Sequence, residues 1–505
     1  MTWNRDKAIE RIQDLIKSIP SVDTQEFETD SRLQIKSLSN LAPNKAVVVD
    51  GVHIYVHLIR YNENILKEDR ETEAAQARAL EFLHLHYGAC DRVIAERNAK
   101  RIDFHGPRMH AVVAEPKGKS NARARVIEAM ELAQEMMLLS ELANKEIGNG
   151  KYPASFRIGI DTGLCVAIDS GTRNESEPLF LGSPANHAAK LADGDIPGIF
   201  ISDNVRRILG MSDSQMATSL DKERLTEIKD INVFKVNSSQ FSRAFPIKNA
   251  NELLSDWKSD ITAQKVEGSR FKFHYHRPPL VNIDYEKLFP SNSIRMPVVS
   301  IFADIDGYTN YIDTAVRNNR VGEAVKVLYV IRKELQNVIQ KDYDGRKVRF
   351  IGDCMHGLIA SGSETEVDES ATVKVAVECA AAIRSSFELC KELLYHANTL
   401  GLAIGLELGE TPISRIGLRG DKSIRLATSV ATITSEEEQS RCSGDETAIG
   451  SSAYEAASVN IQNVFGSARI ARNFNYSTAI PLLMEVRRAS SILGSSTPLR
   501  AHCAN

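Results

Sequence analysis

The sequence predicts an α/β protein built from two tandem copies of one domain. Two pairs of stretches, about 250 residues apart, repeat the same order of elements: a buried β-branched strand, a helix, and a strand hairpin that turns at a glycine. The pairs are Lys45–Tyr55 with Val298–Thr309, and Lys100–Ala114 with Lys347–Ala360. At 505 residues, 43% of them hydrophobic, the chain has the length expected for two domains.

The pattern divides the chain into five segments. These are an N-terminal helical segment over 1–40, a first domain over 41–240, a connection over 241–295, a second domain over 296–450, and a C-terminal extension over 451–505. The N-terminal segment carries apolar residues at helical spacing and ends its helix at Pro20, so we interpret it as a packing or dimer-contact helix.

The elements of each copy follow from hydrophobic periodicity. The first copy is predicted to contain a strand ending at Asp50, helices over 71–100 and 118–147, a hairpin at Gly106, a strand at Ser155–Gly163 and a helix behind Gly182. The second is predicted to contain a strand from Val298, a helix over 322–341, a hairpin at Gly352-Asp353, a helix over 369–399, strands Leu402–Gly409 and Thr411–Ile416, and a helix over 423–440. Residues 451–505 are expected to form a closing helix, a strand and a loose tail.

Two carboxylates of the second copy are expected to meet at one edge of its sheet. Asp304 ends the strand from Val298, just before Gly307, and Asp353 lies at the tip of the hairpin. Carboxylates so placed can hold two divalent ions, whose natural ligand is a triphosphate. For Asp304 alone, an acidic strand-to-helix turn is an equally good interpretation.

The two stretches together resemble the metal motifs of the class III nucleotide cyclases. Phe302-Ala-Asp-Ile-Asp-Gly-Tyr-Thr309 is similar to the first motif, and Phe350-Ile-Gly-Asp-Cys354 to the second. The resemblance implies ferredoxin-like palm sheets with flanking helices, in which the two copies pack as a pseudo-symmetric dimer. It also implies two divalent cations, Mn²⁺ or Mg²⁺, on Asp304, Asp353 and the backbone carbonyl of Ile305, with Phe302 beside the substrate.

The first copy resembles the other half of such a site. Leu179 to Leu191 is similar to the family motif Trp-Gly-x-x-Val-Asn-x-Ala-x-Arg, with Asn186 on its Asn and Lys190 on its Arg. Counted from Gly420, the second copy shows Ile424 and Thr428 there. The first copy keeps Asp50 but has Pro107 in place of the second carboxylate.

These losses are complementary, so the resemblance implies one composite site per chain, with metals from the second copy and catalytic Asn186 and Lys190 from the first. The reaction implied is attack of the 3′-hydroxyl of a nucleoside triphosphate on its own α-phosphorus, with pyrophosphate as leaving group. Two decaying copies that only bind nucleotide are the inactive alternative.

In this family the residue three before the hairpin glycine selects the base, which here is Asp103, with Leu179 as its usual partner. A carboxylate accepts hydrogen bonds, so Asp103 mismatches adenine N1 but suits uracil, cytosine or guanine. UTP is favoured because N3-H distinguishes uracil from cytosine. Adenylate or guanylate cyclase activity is the alternative.

The second copy also resembles the pyrimidine cyclases of bacterial antiphage systems (Pycsar), in Arg415 to Arg425 and the acidic stretch Ser435 to Gln439. This implies a cyclic pyrimidine nucleotide that acts on a separate effector protein. Arg415 and Arg419 are candidate phosphate ligands by position.

The composition narrows the partners. The net charge of -4 and the absence of a basic block give no expectation of nucleic-acid binding, and no apolar run is long enough to cross a membrane. The seven scattered cysteines suggest reduced thiols and a cytoplasmic location. Either a monomer with paired copies or a homodimer fits the sequence.

Overall fold

The computed structural model describes residues 2–39, 44–59, 70–146, 154–169, 177–211, 233–235, 271–417 and 423–483, with a few isolated positions besides. Within these residues the chain forms two mixed sheets of eight strands each. The central strands of the first sheet lie in the order 100–105, 108–113, 45–58, 156–169, 198–202 and 233–235, and those of the second in the order 346–351, 354–359, 293–306, 401–416, 446–449 and 470–472. This is the same order repeated. The predicted fold, two tandem α/β units of one design, is confirmed.

The first copy begins with an N-terminal helix, α1 (Arg5–Ser18). Its strands are β1 (Asp23–Glu26), β2 (Lys45–Leu58), β3 (Lys100–His105), β4 (Arg108–Val113), β5 (Phe156–Asp169), β6 (Pro178–Leu181), β7 (Gly198–Ser202) and β8 (Val233–Lys235). Its other helices are α2 (Glu73–Ala95), α3 (Ala122–Glu146), α4 (Ser183–Leu191) and α5 (Asp203–Leu209).

The second copy repeats this order. Its strands are β9 (Phe273–His274), β10 (Ser293–Asp306), β11 (Arg346–Ile351), β12 (Cys354–Ile359), β13 (Gly401–Ile416), β14 (Ile424–Ala427), β15 (Glu446–Ile449) and β16 (Ile470–Arg472). Its helices are α6 (Tyr308–Arg317), α7 (Val321–Asn337), α8 (Glu369–Leu393), α9 (Val430–Ser440), α10 (Ser451–Ala456) and α11 (Val459–Phe465).

Two predicted elements of the second copy differ from the structure. The helix predicted over 423–440 is a strand, β14, followed by a turn and a shorter helix whose N-cap is Ser429. The two strands predicted on either side of Glu410 are one continuous strand, β13, because it pairs with β10 along almost its whole length. Residues 212–232, 236–251, 260–270 and 484–505 lie outside the described residues, and they include part of the predicted connection and the end of the predicted tail.

The N-terminal helix packs against the second copy. The indole Nε1 of Trp3 donates to Ser386 Oγ of α8 at 2.8 Å. The guanidinium of Arg11 donates to Glu334 and to Asp342, with its shortest contact at 2.6 Å to Glu334. The chain then returns to its own sheet through β1, which pairs with β2 in parallel. The segment predicted to be a packing or dimer-contact helix therefore ties the two copies together.

The copies also meet directly. The Nε2 of Gln76 on α2 donates to the carbonyl of Glu410 at 2.7 Å, and Tyr329 on α7 donates to the carbonyl of Asp169 at 3.1 Å. One hydrophobic core contains Val166, Ile168 and Leu181 of the first copy together with the helices of the second. No described helix combines the length and the hydropathy needed to cross a lipid bilayer.

Candidate active site

Strand pairing brings the two predicted metal carboxylates together. Asp304 lies near the end of β10, and the β11–β12 hairpin carries Asp353 at its tip. The adjacent β10 residue Ala303 pairs with Met355, two positions after Asp353, so the hairpin tip lies beside Asp304. Gly307, which follows the strand, adopts a positive φ of 80° as the N-cap of α6, a conformation that favours glycine.

Both carboxylates lie in a charged, poorly solvated place. Burial raises the pKa of Asp304 well above its usual range, and the charges of Asp353 and Asp306 raise it further. Burial also raises the pKa of Asp353 to about 6, while its own backbone N–H and Arg332 act in the opposite direction. Two carboxylates that repel each other in a desolvated place form a site that a cation would stabilise.

The donor set fits a hard divalent cation. Mg²⁺ and Mn²⁺ prefer oxygen ligands, and Mg²⁺ commonly uses one or two carboxylates while water and phosphate oxygens complete its coordination. The described residues contain no cluster of three or more His, Cys, Asp or Glu side chains arranged to enclose a metal. Two carboxylates leave coordination positions that water and phosphate oxygens can fill.

Helix α4 of the first copy reaches this carboxylate pair. The Nδ2 of Asn186 donates to Oγ1 of Thr309, just after the first metal motif, at 3.0 Å. The start of α4 is held by Asp313 of α6, which accepts hydrogen bonds from the backbone N–H and the hydroxyl of Ser183. The charge of Lys190 lowers the pKa of Asp304 against the effect of burial. The structure thus brings Asn186 and Lys190 to the predicted composite site.

Close packing of α4 on its own sheet fixes this placement. Gly159 of β5 lies under the helix, where an added Cβ would come within 2.1 Å of the Ala188 carbonyl oxygen. Gly405 of β13 has the same relation to Ser435 of α9. The two helices are therefore equivalent, with Ala188 matching Ser435, and each depends on a glycine beneath it.

This equivalence corrects the counting from Gly420. Asn186 and Lys190 lie two before and two after Ala188, so their counterparts around Ser435 are Ile433 and Glu437. Ile424 and Thr428 instead lie in β14 and the turn after it, because Ser429, and not Gly420, precedes the second helix. The second copy still lacks the Asn and the cation.

The strand registers also correct the role given to Asp50. Equivalent residues around the central strands are Tyr55, His110 and Gly159 in the first copy, and Phe302, His356 and Gly405 in the second. Asp304 comes two positions after Phe302, so its counterpart is His57, two positions after Tyr55. Asp50 lies earlier in β2 and accepts a 2.8 Å hydrogen bond from Arg125. The first copy therefore has neither metal carboxylate.

An ion-pair cluster fills the second, pseudo-symmetric site. We call this region the pseudo-site; it contains His57 and Pro107 in place of the two carboxylates. Glu436 of α9 accepts from Arg108 at 2.9 Å and lies 3.2 Å from His105 Nε2. Burial opposes ionisation of Glu436, but His105 and Arg108 together bring its pKa far below its usual value. In the composite site, Lys190 of α4 acts on the carboxylate of Asp304. In the pseudo-site, the equivalent helix α9 instead presents a carboxylate, Glu436, to a histidine and an arginine.

The residues predicted to contact the base lie near the boundary of the two copies. Asp103 of β3 has 24% of its side chain exposed and accepts a hydrogen bond from Arg349 of β11. Leu179 of β6 is partly buried and packs against the second copy's core. Phe302 is only 1% exposed and stacks on His356 at 4.4 Å, and its predicted contact with the substrate stays a prediction.

Two arginines near the site were missed by the sequence analysis. Arg332 of α7 is 3% exposed, lies over the ring of Phe350 at 3.9 Å and lowers the pKa of Asp353. Arg349 occupies the position equivalent to Asp103, three before the hairpin glycine. Both arginines could have been noticed in the sequence. Arg332 follows Leu328 by four residues, so it lies on the apolar face of its helix, where a charged residue is unusual. Arg349 has the opposite charge to Asp103 at the equivalent position of the other copy.

One of the two predicted phosphate ligands, Arg415, lies in the second sheet. Arg415 lies in β13 opposite Arg425 of β14, and Arg425 donates to Glu177 at 2.7 Å. Within the described residues, the structure gives Arg415 no contact with Asp304 or Asp353. Arg419 lies outside the described residues.

Comparison with known proteins also indicates a nucleotide cyclase. Residues 61–237 match the family described as adenylate and guanylate cyclase catalytic domain. A protein named uridylate cyclase from a Rhizobium species is 42% identical over 484 residues, which cover 92% of each chain. A second uridylate cyclase, from Pseudomonas aeruginosa, is 35% identical over 515 residues, covering 99% of this chain and 96% of the relative.

A solved structure has the same fold over nearly the whole chain. It is described as a class III adenylyl cyclase-like ATP-binding protein from Pseudomonas aeruginosa. It superimposes with a TM-score of 0.84 at 35% identity and covers 96% of this chain and 100% of its own. The tandem arrangement is therefore present in full in a relative.

Proposed function

The chain belongs to the class III nucleotide cyclases, and we propose that it converts UTP to 3′,5′-cyclic UMP and pyrophosphate. The observation that carries this proposal is the composite site, in which Asn186 of one copy donates to Thr309 of the other and the charge of Lys190 acts on Asp304. The names of the two full-length relatives support a pyrimidine substrate. Since the pseudo-site lacks both carboxylates, we propose one active site per chain.

Cyclases of this class use divalent metal ions. We propose that Asp304, Asp353 and the backbone carbonyl of Ile305 hold two of them, Mn²⁺ or Mg²⁺. When bound, such ions would lower the pKa of the attacking 3′-hydroxyl and neutralise the phosphate charges. The raised pKa of both carboxylates supports this role, because burial and neighbouring carboxylates disfavour their charged forms and a cation would offset both effects.

The residues of α4 would act on the ribose and the reacting phosphate. Asn186 presents an amide beside Thr309, where it can orient the ribose for in-line attack. Lys190 carries a positive charge close enough to Asp304 to lower the pKa of that carboxyl, which places it to stabilise the pentavalent oxygens. A lysine gives a point charge where the family motif has the bidentate fork of arginine.

Base choice is assigned to Asp103. An ionised carboxylate only accepts hydrogen bonds, so it pairs with N3–H of uracil and opposes adenine N1 and cytosine N3, which are acceptors. A buried acceptor without a partner costs about 1–3 kcal/mol, which predicts a ~5- to ~160-fold preference for UTP over ATP in kcat/KM. The rival is an adenine nucleotide, favoured by the ATP-binding description of the solved relative.

A competition experiment separates the two. The purified chain is incubated with equal concentrations of the four ribonucleoside triphosphates and Mn²⁺, and the cyclic products are separated by mass. Cyclic UMP as the main product supports the proposal, and Asp103→Lys should then reduce the ratio of cyclic UMP to cyclic AMP. Cyclic AMP as the main product would refute the role of Asp103 in base selection. Cyclic GMP as the main product would agree with an acceptor carboxylate at Asp103 but would refute a pyrimidine substrate.

We further propose that the cyclic nucleotide is a second messenger in antiphage defence and acts on a separate effector in the cytoplasm. The support is the resemblance of Arg415–Arg425 and the acidic α9 to antiphage pyrimidine cyclases. Expression of the chain in bacteria, followed by phage challenge with and without Asp353→Asn, tests this. Equal plaque numbers in both strains, with the neighbouring genes present, would contradict it.

A further inference from the structure

The two base-position residues of the pseudo-symmetric hairpins contact each other. Asp103 and Arg349 both lie three residues before the hairpin glycine and follow the same irregularity in strand pairing, opposite His110 and His356. The Nη2 of Arg349 donates to Oδ1 of Asp103, and its Nη1 donates to the carbonyl of Phe104. Arg349 of the second copy is therefore hydrogen-bonded to the base-position carboxylate of the first copy.

This contact leaves half of the carboxylate available. Arg349 takes Oδ1, and the structure gives Oδ2 of Asp103 no hydrogen bond within the described residues. The Arg349 side chain is 10% exposed, so its charge is poorly screened by solvent. With two fixed contacts on neighbouring backbone and side-chain atoms, Arg349 sets both the orientation and the charge of Asp103.

We infer that Arg349 is a specificity-determining positioning residue, which keeps Asp103 a hydrogen-bond acceptor and so selects uracil over cytosine and adenine. This inference rests on the proposed function. A protonated Asp103 would present an O–H to cytosine N3 or adenine N1, which are acceptors. A deprotonated one accepts from uracil N3–H. Base choice therefore follows the protonation state that Arg349 maintains.

The surroundings of Asp103 support this role for Arg349. Burial raises the pKa of Asp103, and the charge of Arg349 is the strongest influence that lowers it. The other titratable or charged groups that face Asp103 are His105 and Arg101 of β3, Tyr55 of β2 and Tyr87 of α2. Arg101 pairs with Asp91 at 3.3 Å. The hydrogen bond from Arg349 ties that cation directly to the carboxylate of Asp103.

The test is the product ratio of Arg349→Gln as a function of pH. The full chain, with all four nucleotides at equal concentration and Mn²⁺, should give a wild-type ratio that is constant between pH 6 and pH 9. In Arg349→Gln, the combined share of cyclic CMP and cyclic AMP relative to cyclic UMP should rise at least ~10-fold from pH 9 to pH 6, since the protonated fraction changes tenfold per pH unit above the pKa.

Two variants serve as controls. Arg349→Lys keeps the charge and should restore the constant ratio. Arg101→Gln removes a guanidinium that pairs with Asp91 and lowers the pKa of Asp103 less than Arg349 does, so it should change the ratio less than Arg349→Gln at every pH. A merely structural role of Arg349 would lower all four rates together without changing their ratio, and that result would overturn the inference.

Asp103→Asn keeps the inference testable if Arg349→Gln does not fold. An amide can donate at any pH, so this variant should lose selectivity against CTP and ATP without pH dependence. Wild-type selectivity in Asp103→Asn would overturn the inference. A wild-type enzyme that makes no cyclic UMP would instead refute the proposed function, so the two failures are distinguishable.

Discussion

Replacing Asp353 by Asn should stabilise the metal-free protein while it removes the activity. The carboxyl pKa rises from its ordinary value of 3.8 to about 6 on folding, mainly because the group is buried. A shift of about 2 pKa units corresponds to ~3 kcal/mol, by which the ionised carboxylate destabilises the fold. Asn removes this charge at similar size, so the expected gain in unfolding free energy is of that order.

The sign of the effect depends on pH. Below about pH 3.8 the carboxyl is protonated in both folded and unfolded chains and contributes nothing. As pH rises through the interval up to about 6 the unfolded chain ionises first, so the destabilisation grows, and above pH 6 it is complete. Wild-type and Asp353→Asn proteins should therefore have similar stability near pH 4 and differ most at pH 7–8.

Urea unfolding of the full chain in EDTA measures this difference. Adding Mn²⁺ should raise the wild-type midpoint and leave that of Asp353→Asn unchanged, because the ligand is lost. The cyclase rate should fall below a tenth of wild type, since loss of a metal ligand removes several kcal/mol of transition-state stabilisation.

Asp368→Asn is the matched control. Asp368 caps α8 from the surface, and Asn is an equally good N-cap, so neither stability nor rate should change. A metal-free Asp353→Asn protein that is less stable than wild type at pH 8, or one that keeps a tenth of the rate, would refute the reasoning.

Three further predictions follow from the composite site and the pseudo-site. Lys190→Ala should lower kcat at least ~10-fold, and Lys190→Arg should restore most of it, because the proposed contribution is positive charge at the phosphorus; equal rates in Lys190→Ala and wild type would remove Lys190 from the site. Mixing Asp353→Asn protein with Asn186→Ala protein should recover little activity, since both halves come from one chain, whereas substantial recovery would show that the site forms between chains. Glu436→Gln should destabilise the paired copies by about 1–2 kcal/mol at pH 7 in urea unfolding, because Arg108 loses a half-buried partner. Since the pKa of Glu436 is lowered on folding, the stability advantage of the wild type is complete above the ordinary pKa of a glutamate and shrinks as pH falls below about 4. A larger advantage at pH 3 than at pH 7 would contradict the ion pair.

The sequence by itself determined the elements of the site. The strand from Val298, the hairpin at Gly352-Asp353 and the helix behind Gly182 were all predicted, because each depends on residues within a few positions of one another. The duplication was visible for the same reason, since both hairpins repeat the glycine and the Met-His pair that follows. The prediction of Asp304 and Asp353 as metal ligands therefore needed no structure.

The tertiary structure decided the register between the copies. Asp50 and Asp304 both end an apolar β-branched run, so the local pattern indicated Asp50 as the counterpart of Asp304. The pairing of β2 with β4 and β5 shows that the counterpart is His57. The connections before α4 and α9 differ, so counting from a glycine led to Ile424 and Thr428 as the counterparts of Asn186 and Lys190. The packing of the two helices over Gly159 and Gly405 identifies Ile433 and Glu437 instead.

The partner of Asp103 was likewise beyond the reach of the sequence. Asp103 and Arg349 are separated by 246 positions, and nothing local to either one fixes their distance. They meet because the two copies pack against each other, so that Arg349 of β11 contacts Asp103 and Phe104 of β3. Local chemistry follows from neighbouring residues, but the contact between two copies depends on which surfaces bury together, and that is a property of the whole fold.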